Sequence, residues 1–165
     1  GVSLGAFISV IASAMEPRLR GLVLMFGGGD LDRVVSGGTY GFRVRRQLRN
    51  LSITEEKRRR ARLEYDSYLR AVREAEHPLD VRPAFEYFLF DPLTYAHHIR
   101  NRPILMINAA LDPIVPRTAA RALWEGLGRP QSALMWGTHW GGGPWRGYVA
   151  RRIARFLSTM SRPTV

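Results

Sequence analysis

Hydrophobic positions fall in short blocks punctuated by glycine and proline. Val2 to Met15 is small and apolar ahead of Glu16-Pro17, which predicts a buried helix over Leu4–Met15 that stops before the proline. Three short apolar runs, Gly21 to Phe26, Ile104 to Ile107 and Ser132 to Trp136, each end near glycine or follow proline, and predict strands buried on both faces of a parallel sheet. Between the second and third runs Thr118 to Gly126 reads as a helix, with Pro116 ahead of it. After the third, Trp145 to Met160 sets Tyr148, Val149, Ile153, Phe156 and Leu157 against arginines, as an amphipathic helix does. The alternation of strand and helix predicts the α/β class.

The stretch from Asp30 to Arg102 is too long for a simple connection and must hold structure of its own. Ser52-Ile53-Thr54-Glu55 fits a capping box. Ala61, Tyr65, Tyr68, Leu69, Val72 and Ala75 then recur at helical spacing, so one long amphipathic helix is expected, with shorter pieces over Ala84–Phe90 and Leu93–Ile99. Three units follow: 1–29 and 103–165 forming an α/β core, and 30–102 inserted as a helical cap.

The chain has 165 residues, 45% hydrophobic, enough for a sizeable core and against a disordered tail. No apolar run reaches the roughly 18 residues of a membrane span, so no integral membrane association is expected. Cysteine is absent, which excludes disulfides, thiolate nucleophiles and Cys-based metal sites. The net charge of +11 invites a nucleic-acid reading, but of 25 basic residues only Lys57 is lysine, a skew that suits a coding bias better than a phosphate-binding patch. No targeting signal is visible and the compartment stays open, with the cytoplasm favoured. The first residues read like the interior of a longer chain, and an N-terminal part is expected ahead of Gly1.

Gly1-Val2-Ser3-Leu4-Gly5 matches G-x-S-x-G, in which a serine sits on a tight strand-to-helix turn and glycines relieve crowding. A bland alternative makes Ser3 an ordinary helix N-cap. A serine hydroxyl needs a base within reach and a carboxylate to orient that base. Asp112 follows the Ile104 strand and His139 follows the Ser132 strand, both at carboxyl ends, where ligands bind in open α/β sheets. Asp30 or Asp32, after Gly27-Gly28-Gly29, is the rival acid. His77, before Pro78, reads as a cation at a helix end, and His97-His98 lacks a partnering acid at metal-like spacing, so no metal site and no cofactor is expected. Gly27-Gly28-Gly29 and Gly141-Gly142-Gly143 read as close-packing turns beside the site.

In these motifs and their order the sequence resembles the α/β-hydrolase superfamily, over essentially its whole length, as the C-terminal half of such an enzyme. The resemblance implies a partial α/β-hydrolase fold, a parallel sheet with flanking helices and an inserted helical cap. It implies Ser3 as nucleophile, Asp112 as orienting acid, His139 as general base and the Leu4 N–H as one oxyanion donor. The family's second donor comes from a loop after an early strand, so these residues alone are expected to hydrolyse esters weakly or not at all. Trp140 is a candidate for the substrate pocket, and the cap aromatics Tyr65, Tyr68, Phe85, Tyr87, Phe88 and Phe90 are candidates for an apolar one. The expected partner is a small-molecule ester. Peptidase or thioesterase action on the same fold stays open, as does a non-catalytic module binding nucleic acid or an acidic surface through Arg43, Arg45, Arg46, Arg49, Lys57, Arg58, Arg59, Arg60 and Arg62.

Overall fold

A computed structural model describes residues 1–38, 54–140 and 143–160. Helix α1 spans Leu4–Met15 as expected, burying Ala6, Phe7, Val10 and Ser13, one face at helical spacing. Strands β1 (Leu22–Met25), β2 (Ile104–Ala109) and β3 (Gln131–Met135) form a parallel sheet in the order β1-β2-β3, and Val2 adds an isolated parallel bridge to Met25. Helix α2 (Leu31–Gly37), which no sequence signal marked, follows β1. The long helix α3 spans Glu55–Glu74, and a short α4 covers Leu93–Ala96. Helix α5 (Arg117–Gly126) joins β2 to β3, and α6 (Arg146–Met160) closes the described chain.

The pleat of β2 sorts its residues between two core layers. Ile104 and Met106 pack with Ala6, Val10, Leu22, Leu24 and Leu123 on the α1 and α5 side. Leu105, Ile107 and Ala109 pack with Phe26, Met135 and Phe156 on the α6 side. Helices thus cover both faces, as parallel strands require. Arg102 closes the layer at one end: its Nη1 reaches the Ser13 carbonyl at 2.6 Å and the Leu19 carbonyl at 2.7 Å beyond the C-terminal turn of α1, satisfying carbonyls that lack helical partners.

Three expectations change here. β3 is not buried on both faces, because it lies at the edge of the described sheet with Gln131, Ser132 and Leu134 exposed. The cap of α3 is Thr54, whose Oγ1 accepts from the Lys57 N–H at 3.3 Å, while Ser52 and Ile53 of the expected capping box lie outside the described residues. His77 lies just beyond the end of α3 at Glu74 but serves the next element: its Nδ1 accepts from the Leu79 N–H at 3.2 Å and caps the start of a 3-10 turn over Pro78–Asp80. Arg43, Arg45, Arg46 and Arg49 of the expected basic surface also lie outside the described residues, as do Gly141 and Gly142.

The segment between β1 and β2 is tied to the core through buried acids. Asp91 accepts the N–H groups of Asp30 at 3.0 Å, Leu31 at 2.6 Å and Leu93 at 2.9 Å, which pins the start of α2 to the start of α4. The Asp30 carboxylate pairs with Arg33 and, across to α3, with Arg62. Tyr65, Tyr68, Leu69 and Val72 of α3 then pack around Phe88. Val2, ahead of α1, and Leu4 and Ile8 on it are exposed apolar side chains among the described residues. No described helix is long and apolar enough to cross a membrane.

Candidate active site

Ser3 sits where the chain leaves its bridge to Met25 and enters α1. Its N–H donates to the Met25 carbonyl at 2.8 Å and the Met25 N–H donates to the Gly1 carbonyl at 2.9 Å, so the turn is fastened to the end of β1. Its backbone lies at φ 52°, ψ −121°, outside the ordinary regions for a side-chain-bearing residue, and its side chain makes no capping bond to the helix. That geometry departs from a plain N-cap. Gly1 is required: a Cβ there would lie 2.1 Å from the Gly5 carbonyl oxygen. Gly5 is not, since a Cβ on it meets nothing among the described residues, so only one of the two motif glycines relieves crowding here.

The loops after β2 and β3 are drawn together by continued pairing. The Ala110 N–H donates to the Met135 carbonyl at 2.8 Å and the Leu111 N–H to the Gly137 carbonyl at 3.0 Å, which carries Asp112 beside His139. Asp112 Oδ1 accepts from the N–H groups of Ile114 at 2.8 Å and Val115 at 2.9 Å. Its Oδ2 lies 2.8 Å from His139 Nδ1, and His139 Nε2 lies 2.9 Å from Ser3 Oγ. An ionised carboxylate only accepts, so Nδ1 carries the proton and Nε2 is left as the acceptor for the Ser3 hydroxyl, the tautomer a general base needs. The side chains of His139 and Asp112 are 8% and 3% exposed, which shields the pair from water.

Sequence reasoning placed these three residues, and the structure brings them into one hydrogen-bonded line. The rival acids are placed elsewhere: Asp30 spends its carboxylate on Arg33 and Arg62, and Asp32 lines a cavity beside α3. The Leu4 N–H is the first of α1, where no intrahelical acceptor exists and the helix dipole favours negative charge. Trp140 stands edge-on to His139 at 5.7 Å between ring centroids and is 69% exposed. His97 and His98 lie away from these loops, His98 Nε2 bonding the Val72 carbonyl at 2.9 Å, and no cluster of metal-ligating side chains occurs among the described residues. Gly28 is needed for closeness: a Cβ would come 2.7 Å from Val115, in the loop that carries Asp112.

Asp112 before Pro113 also reads from sequence as a plain turn residue, and that turn supplies the paired N–H groups of Ile114 and Val115 that fix its Oδ1, while Oδ2 is left for His139. One feature of the site escaped sequence reasoning. Phe26, whose ring lies 5.1 Å from that of His139, follows a strand pattern that marked it only as core. Among the described residues a cavity of about 910 Å³ lies apart from the three residues, between α2, α3 and the 84–91 segment. Tyr65, Phe85, Tyr87 and Phe88 line it together with Lys57 and Arg58, whereas Phe90 is exposed and Tyr68 packs in the core.

Among solved structures, the chain is similar to one described as a non-heme bromoperoxidase, BpoC from Mycobacterium tuberculosis H37Rv, at 21% identity and a TM-score of 0.56, with 98% of this chain and 66% of that one covered. It is also similar to E-2-(acetamidomethylene)succinate hydrolase, at 18% identity and a TM-score of 0.53, with 96% of this chain and 65% of that one covered. The chain therefore spans slightly less than two thirds of the length of these structures. No family model and no curated protein matches the sequence.

Proposed function

The chain has the α/β-hydrolase fold, seen here as a parallel sheet flanked by helices, and on that premise we propose that it acts as a serine hydrolase on carboxylic esters. The observation that carries this reading is the unbroken line from Ser3 Oγ through His139 to Asp112, with Ser3 on a strained turn. In the reaction Ser3 Oγ bonds to the ester carbonyl carbon as His139 Nε2 takes its proton, and the carbonyl π electrons move to oxygen. Asp112 stabilises the imidazolium. The tetrahedral species collapses as the C–O bond to the alcohol breaks and His139 returns the proton to the leaving oxygen. Water, deprotonated by His139, then releases the acid and restores Ser3.

The Leu4 N–H is assigned to the developing oxyanion. Turnover of p-nitrophenyl acetate that is lost in Ser3→Ala is one test of the reading. A fluorophosphonate probe reads the nucleophile more directly, because it traps Ser3 covalently without requiring turnover. Labelling that maps to Ser3, and is lost in Ser3→Ala and His139→Ala, is the expected result. Labelling no faster than that of Ser3→Ala overturns the proposal. The unit 30–102 is read as the cap, and its aromatic cavity beside α3 as a place where the ester's apolar portion is selected.

A further inference from the structure

Phe26 is the last residue before the Gly27–Gly29 run, and its backbone lies at φ 55°. For a bulky side chain that is a true outlier, and such conformations persist only where the surroundings over-determine them. Three contacts do so here. The Phe26 N–H donates to the Ile107 carbonyl at 2.9 Å, continuing the ladder one residue past β1. Asn108 Nδ2 donates to the Gly27 carbonyl at 3.2 Å and holds the next peptide. The ring itself is buried among Leu105, Ile107, Ala109, Met135 and Phe156.

This turn sets the Phe26 ring against the imidazole of His139, with centroids 5.1 Å apart and planes inclined at 42°. The contact supplies what the hydrogen bonds lack. Ser3 and Asp112 tether the two nitrogens of His139 by bonds to the ring edge, and neither covers a ring face. A buried aromatic surface against one face opposes tilting of the ring out of line with Ser3. It also offers a π cloud to the imidazolium formed during acylation. Trp140, on the exposed side, is too open to solvent to do the same work alone.

We infer that Phe26 is a positioning residue for the proposed general base: its strained turn holds an aromatic ring on His139, aiming Nε2 at Ser3 and stabilising the charged imidazole. The inference rests on the reading of His139 as that base. Its test compares Phe26→Leu, Phe26→Tyr as the aromatic rescue, and Phe156→Leu, an equal truncation in the same core cluster away from His139. Two readouts separate positioning from packing: the downfield proton NMR signal of His139 Nδ1–H bonded to Asp112, assigned by its loss in Asp112→Asn, and the rate of fluorophosphonate labelling at Ser3.

Phe26→Leu is expected to shift or broaden the proton signal and slow labelling by about ten-fold, Phe26→Tyr to restore both, and Phe156→Leu to lower the melting temperature without either effect. Should Phe26→Leu not fold, Phe26→Met is judged on the same readouts. A Phe26→Leu protein with the signal and labelling rate of Phe156→Leu overturns the inference. If the unsubstituted protein labels no faster than Ser3→Ala while the proton signal still responds to Phe26, the hydrolase reading fails and the positioning contact stands. Absence of the signal from the unsubstituted protein overturns both.

Discussion

The loops at the carboxyl ends of β1, β2 and β3 and the region around α3 use their polar groups in opposite ways. In the first, each nitrogen of His139 has a partner and both oxygens of Asp112 are engaged. In the second, the hydroxyls of Tyr65 and Tyr68 are buried without hydrogen-bond partners, and aromatic contacts around Phe88 add to the Asp30–Arg62 ion pair that ties α3 down. Loops fastened by continued strand pairing bring polar atoms to hydrogen-bond distance. The aromatic packing around Phe88 aims no polar atom and suits a pocket wall, whereas the Phe26 ring lies on an imidazole already held at both nitrogens.

If that contrast is right, substitutions in the two regions separate reactivity from stability. Asp112→Asn keeps an oxygen for the Ile114 and Val115 N–H groups but offers His139 the wrong tautomer. Labelling of Ser3 by a fluorophosphonate is expected to slow by about 10⁴-fold with little change in melting temperature. A loss below ten-fold would show that His139 is oriented by something other than Asp112. Phe88→Ala does the reverse, removing a fully buried ring on which Tyr65 and Tyr68 rest. It is expected to cost about 3–5 kcal/mol in chemical denaturation while the folded fraction keeps its labelling rate.

The part of the molecule with strong periodicity and punctuation was legible in advance. Leu4–Met15 was predicted to the residue, and β2 and α5 to within two, because apolar spacing and flanking Pro or Gly carry those elements locally. Ser3 was legible from its G-x-S-x-G motif ahead of a predicted helix, and Asp112 and His139 from their positions after predicted strands, although no local rule sets the 2.9 Å contact across the sheet. What escaped depended on partners far along the chain. Asp30 looked like a candidate acid until α3 brought Arg62 to it, and β3 looked buried on both faces because an apolar run cannot say whether a layer lies on each side. Helix α2 lay hidden in Leu31-Asp32-Arg33-Val34-Val35, too short for a moment to show. The backbone of Phe26 has no signature in a strand pattern at all.

The tie between the two regions gives a smaller effect. Asp91 is buried, and burial raises its carboxyl above the usual value although three N–H donors pull the other way. With the folded value raised, the native state holds this proton more tightly than the unfolded chain does. The group's contribution to stability is therefore full below the ordinary carboxylate range and is lost as pH rises through the raised value. Asp91→Asn removes that slope but turns an amide N–H toward either the Leu31 N–H or those of Asp30 and Leu93. Denaturation near neutral pH is expected to show a loss of about 1–3 kcal/mol. An unchanged slope of stability against pH in this variant would place the titration on another acid.

The smallest effect is the sharpest probe of the contrast. Tyr65 Oη faces the Asp91 carboxylate without hydrogen-bond geometry, and burial raises its phenol far above the ordinary value, so it stays neutral. Removing a buried hydroxyl that makes no bond forfeits nothing and relieves its desolvation, whereas removing the Ser3 hydroxyl takes away the proposed nucleophile. Tyr65→Phe is thus expected to be neutral or stabilising by up to about 1 kcal/mol, with the Ser3 labelling rate unchanged. A loss of more than about 1 kcal/mol would mean that Tyr65 and Asp91 do bond in solution. The region around α3 would then be held by a polar network like that of the three loops, and the distinction between a wall that fills space and a site that fixes atoms would have to be drawn elsewhere.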